Sequence, residues 1–194
     1  MRRKTFDVLV SIGGFVLAGV LLVAGGLLLW GHSFASSQVH DQLAAQKIVF
    51  PTKSNAEFKA LPAADRAAMG AYAGQPLTTG AQAKTYADHF IAVHLTEMGK
   101  GQTYSQLSAA SLAQPKNTAL AGQVQTMFRG TTLRGLLLEA YAFSKIGQIM
   151  LWGAIASFAA ALMMSVLVGL GFAHARQTEP ETRLFGAKVS AVTS

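Results

Sequence analysis

His89, His94 and Glu97 are the residue types of a non-haem iron site, close together in the sequence. Such a site needs two histidines and a carboxylate on one side of the metal, with open positions for oxygen and substrate. On one helix, however, His89 and His94 are five residues apart, about 140° around an axis of roughly 3.6 residues per turn, so both cannot face one ion. Only His94 and Glu97, three apart, share a face. A third ligand such as His40 would have to arrive from another element. The expectation is therefore no metal ligand: His94 reads as a partly buried, hydrogen-bonded histidine and His89 as a solvated one. Nucleophiles fare no better, because there is no GxSxG elbow and the hydroxyl-rich stretches 33–37 and 103–111 lie where caps and turns want them. Asp88, Glu97 and Glu139 have no spacing that pairs them for acid and base work. The absence of cysteine excludes disulfides, thiolate zinc sites, iron-sulfur clusters and thiol catalysis. The chain reads as a non-enzyme, with no catalytic residue and no cofactor.

Arg129, Arg134 and Lys145 are the remaining chemistry. Arginine suits bidentate contact with phosphate or carboxylate, so Arg129 and Arg134 are expected to touch a protein partner or lipid headgroups. Lys145 reads as a cation snorkelling to a membrane interface. The net charge is +7, but basic residues between Lys47 and Lys145 are dispersed without aromatic interleaving, so no nucleic-acid partner is expected.

What must position these residues is set by two apolar runs in a chain that is 51% hydrophobic and only 13% charged. Residues 149–173 hold 25 positions with two serines as their only polar side chains, long enough to cross a bilayer core as a helix. Gly153, Ser157, Ala161, Ser165 and Gly169 recur every four residues, with Leu151, Ile155, Phe158, Leu162 and Val166 roughly opposite. The small ladder predicts close approach of another backbone. Residues 8–30 form a first span behind Arg2, Arg3 and Lys4, and exceed the apolar core of a cleaved signal peptide, so an uncleaved signal anchor is expected. Ser11, Gly14, Ala18 and Gly25 give it a small stripe of its own, able to mate with the second ladder. Both termini are then cytoplasmic, with residues 1–7 inside and residues 174–194 forming a short tail expected to be disordered.

Residues 31–148 read as a helical extracytoplasmic domain. The first helix continues to about Ile48, Pro51 stops it, and residues 63–73 form a short helix. Thr78 or Thr79 caps a helix over residues 81–98, and Thr103 with Gln106 fits a capping box opening residues 104–113. Asn117 caps the last helix, which a bend at Gly130, Thr131 and Thr132 separates from the second span. Strand alternation is nearly absent.

The segments MRRKTFDVLV, QKIVFP, LTTGAQAKTYADHFIAVHL, GQTYSQLS and FRGTTLRGLLLEAYAFSKIGQI together resemble an uncharacterised family of actinobacterial membrane proteins, over nearly the whole chain. The resemblance implies two spans, an extracytoplasmic region and a bacterial plasma membrane, with no established activity. Some members carry the label of an aromatic ring-opening dioxygenase, which the residues of this chain do not support. Members with glutamate at the position of Thr131 have a charge partner for Arg129 or Arg134 that is absent here.

The expectation is thus an all-α, multi-pass protein of the bilayer: two transmembrane helices with a helical extracytoplasmic domain inserted between them. It would act as an accessory or scaffold subunit, binding another protein or a second copy of itself. The alternative is a small-molecule or metal-binding extracytoplasmic domain using a cleft around Tyr86, His89, His94 and Arg134.

Overall fold

Long stretches free of proline let two helices run far beyond the average length, and between them prolines and glycines break the chain into short pieces. The computed structural model describes residues 3–177. In chain order it contains α1 (Arg3–Ala45), α2 (Ala56–Ala60), α3 (Ala63–Gly70), α4 (Gly80–Tyr86), a π-helical turn (Ala87–Ile91), α5 (Ala92–Met98), α6 (Tyr104–Ala113) and α7 (Thr118–Gln177). The described residues are all-helical, apart from an isolated bridge between Val49 and Pro76. Both α1 and α7 are long and apolar enough to cross a membrane, with mean hydropathies of 2.5 and 2.1 in their most apolar windows.

The chain divides into two compact units. One takes in the residues up to Gly31 and those from Met150 onward; the other is His32–Ile149. In the first unit the half-buried or buried positions of α1 include the line Asp7, Ser11, Gly14, Ala18, Leu21, Gly25 and Leu28, with Val8, Ala24 and Gly31 beside it. On α7 they include Ala154, Ser157, Ala161, Met164, Val168, Gly171 and Ala175. Steps of three and four alternate, a mean period of 3.5 residues, which keeps one face of each helix against its neighbour as in left-handed helix pairs. Most of the bulky side chains outside this seam are exposed, among them Phe15, Val23, Leu162 and Leu170.

The second unit has a core of ordinary kind. Phe50, Leu61, Met69 and Leu77 are its largest fully buried side chains, joined by Val39 and Leu43 of α1, Ala83, Ala87, Ile91, Leu95 and Leu107, and Met127 and Leu137 of α7. Phe50 and Leu77 reach the core because the two connections carrying them pair. The Phe50 amide donates to Gln75 O at 2.9 Å and the Leu77 amide to Ile48 O at 2.9 Å. The turn into this pairing uses Lys47 at φ 53° and Gly74 at φ 77°. Capping boxes at Thr79 with Gln82 and at Thr103 with Gln106 start α4 and α6, and Asn117 Oδ1 accepts the Leu120 amide at 3.0 Å to start α7. Without such groups the first amides of each helix would lack acceptors.

Three local expectations give way. The helix expected over 63–73 ends at Gly70, and that over 81–98 contains the π-helical turn. The bend expected at Gly130 is replaced by an uninterrupted α7. Gly130 is instead a contact point, since a Cβ there would stand 2.6 Å from Leu95 Cδ2. The tail expected to be disordered lies outside the described residues beyond Gln177, while His174 and Arg176 belong to the last turn of α7.

Candidate functional site

In the second unit the charged groups gather where α4 and the π-helical turn meet α7. Gly80 makes this approach possible, because a Cβ there would press on Ser144 and stand 3.2 Å from Tyr141 Cα. One turn on, Lys84 Nζ lies 5.5 Å from the centroid of the Tyr141 ring, and Lys145 Nζ lies 5.6 Å from it. Asp88 accepts from Lys84 Nζ at 2.5 Å and from Arg134 Nη2 at 2.8 Å. The hydrogen bond from Lys84, and behind it that from Arg134, hold the Asp88 carboxyl below the usual carboxylate range against the raising effect of burial. The same hydrogen bond pushes Lys84 up. A carboxylate held ionised between two cations is a fastener between elements rather than a proton carrier.

The residues of the expected cleft are each engaged separately. Tyr86 packs between Phe50 and Phe90 at centroid distances of 5.3 and 4.8 Å, and burial pushes its phenol up. His89, expected to be solvated, donates from Nδ1 to Asp65 Oδ1 at 2.7 Å with its side chain 39% exposed. His94 donates to Phe90 O at 2.7 Å and its ring lies 4.4 Å from that of Phe90. Among the described residues no three His, Cys, Asp or Glu side chains come together as a metal would need.

Arg129 and Arg134 do not form the shared corner expected of them. Five residues apart on α7, they point about 140° from each other. Arg134 is tied to Asp88, whereas Arg129 is exposed. Seven residues on from Arg129, and so on its own face, is Leu136, 58% exposed.

In the first unit the small residues separate into two groups. A Cβ on Gly14 would meet Val168 Cγ2 at 2.7 Å, and one on Gly25 would meet Phe158 Cε1 at 2.9 Å. Ala18 and Ala161 are buried, Ser157 is half-buried and Gly153 faces Leu28. Ser165 and Gly169 are exposed, and a Cβ on Gly169 would meet nothing within 4 Å. The cause is geometric. Steps of four residues advance about 40° beyond a full turn each, so a ladder from Gly153 to Gly169 drifts by about 160° and leaves the seam. Ser165 instead donates its hydroxyl to Ala161 O at 2.8 Å within α7.

No family model, curated protein or solved structure matches this chain.

The ends of the first unit carry chemistry that sequence reasoning left apart. Contacts of Gly31 with Met150 and of Gly153 with Leu28 fix the antiparallel register. In that register Trp30 and Trp152, the two tryptophans of the chain, lie at one level, 68% and 70% exposed. At the other end Asp7 and His174 line one groove. Asp7 to Trp30 and Trp152 to His174 are helical stretches of roughly 34 and 33 Å at about 1.5 Å per residue. A bilayer hydrocarbon core is about 30 Å thick, and tryptophan is the side chain that concentrates at its edges.

Proposed function

We propose that the chain is a two-span protein of the bacterial plasma membrane whose second unit, between the spans, docks another protein outside the cytoplasm. The observation that carries the membrane part is the shared level of Trp30 and Trp152, one hydrocarbon thickness from the shared level of Asp7 and His174. In the sequence Arg2, Arg3 and Lys4 directly precede the first apolar run and Arg176 follows the second, which supports a cytoplasmic location for both termini. The bulky exterior of α1 and α7 would then face lipid.

The role in the second unit is non-enzymatic support of a partner. Its histidines and Arg134 are committed to internal hydrogen bonds, while α7 presents Arg129 and Leu136 on one exposed face. Arginine is enriched at protein interfaces, and an exposed apolar side chain on the same face adds area to bury. The test is purification of the full chain from native membranes in mild detergent. Arg129→Glu with Leu136→Glu should lose the co-purifying protein and keep the helical content, while Ser105→Glu on α6 should keep both. Equal recovery of companions from both variants and the unaltered chain would remove this face from the proposal.

A further inference from the structure

Between α1 and α7, at the end of the first unit bearing Asp7, lies a groove of about 250 Å³. By liquid volume that is roughly eight water molecules, room for a small headgroup and not for a lipid tail. Phe6, Val10 and Leu167 give it apolar walls, and Asp7, Ser11 and His174 give it polar groups. Ser11 is 4% exposed. The Asp7 carboxylate oxygen Oδ2 is buried and has no hydrogen-bond partner. A carboxylate with one oxygen shut away from water and without a donor is under-satisfied, so the groove favours a ligand that brings both positive charge and N–H groups. Its place at the edge of an apolar helix pair requires that ligand to be amphiphilic.

We infer that the groove holds the protonated primary amine of an aminophospholipid from the leaflet facing the N-terminus, an inference that rests on the two-span reading above. The ammonium donates to the Asp7 carboxylate while the lipid's acyl chains lie along the exposed apolar faces of α1 and α7. A trimethylated amine has no N–H to donate, and an anionic headgroup meets the Asp7 charge unfavourably. Phosphatidylethanolamine is therefore distinguished from phosphatidylcholine and phosphatidylglycerol.

The test reconstitutes the full chain into nanodiscs containing equal amounts of these three lipids and counts lipids retained after gentle release by native mass spectrometry. The expected result is retention of one phosphatidylethanolamine at about tenfold preference, the scale of one charge-assisted hydrogen bond. The preference should vanish in Asp7→Asn and persist in Asp7→Glu, with unchanged circular dichroism in both. Equal retention of the three lipids, or a preference that survives Asp7→Asn, overturns the inference while leaving the two spans in place. A chain that does not co-elute with the nanodisc overturns the two-span reading and the inference with it.

Discussion

The two units bring helices together by opposite means. In the second, the largest buried side chains are Phe50, Leu61, Met69 and Leu77, and small residues serve at points of entry such as Gly80 against α7. In the first, Gly14, Ala18, Gly25, Ala154 and Ala161 let the helices approach, with side chains such as Val168 and Phe158 set against the glycines, and most of the bulk is outside. The inversion follows from the surroundings. Water rewards burial of large apolar area, whereas in the bilayer proposed for the first unit lipid tails would offer a leucine as much contact as another helix does, and only close backbone approach would add something.

Truncation should separate the units most strongly. Phe50→Ala removes a side chain 1% exposed and should cost about 3–5 kcal/mol, unfolding the second unit at lower denaturant. Leu162→Ala removes one that is 69% exposed and should leave stability in detergent nearly unchanged. Comparable losses would mean that the outer face of α7 at Leu162 is packed as tightly as the core of the second unit.

Enlargement should give the reverse order. Ala161→Leu, at a position 1% exposed, should cost about 1–3 kcal/mol in a detergent-stability assay, while Ser165→Leu one turn further should cost little. Equal effects would restore the four-residue ladder.

Charge gives smaller effects. Arg134→Met breaks a partly exposed pair with Asp88 and should cost about 1 kcal/mol or less, measurable by urea unfolding, and Arg129→Met less still. The pH dependence carries a definite sign. The Asp88 carboxyl is depressed from its ordinary 3.8, so its contribution is present above that value and lost as pH falls through the lowered one. Asp88→Asn should flatten the acid limb of the stability profile below about pH 4. An unchanged acid limb would show that the ion pairs with Lys84 and Arg134 are not maintained in solution.

Much of the architecture was legible because it depends on local chemistry. Thr78 or Thr79, Thr103 with Gln106, and Asn117 declare helix starts through side chains that reach their own backbone, and the structure settles the first on Thr79 with Gln82. The stripe Ser11, Gly14, Ala18 and Gly25 was legible because its steps of three, four and seven match the seam. The α7 ladder was legible only from Gly153 to Ala161, because equal steps of four look regular in a sequence yet rotate Ser165 and Gly169 away from α1. Gly130 misled for a related reason: a glycine permits a bend, but here it admits Leu95. The bonds from His89 to Asp65 and from Arg134 to Asp88 join residues 24 and 46 positions apart, and no spacing rule announces them. Only the Lys84 and Asp88 pair, four apart on one helix face, carried its own signal.

The claim on which the rest depends is that the helix pair crosses a membrane with both termini inside and the second unit outside. The chain has no cysteine, so single substitutions give unambiguous reporters. Intact cells expressing Ser105→Cys or Ser190→Cys should be treated with a membrane-impermeant maleimide, before and after permeabilisation. The account predicts labelling of Ser105→Cys in intact cells and of Ser190→Cys only after permeabilisation. Labelling of Ser190→Cys from outside, or of Ser105→Cys only after permeabilisation, would contradict it.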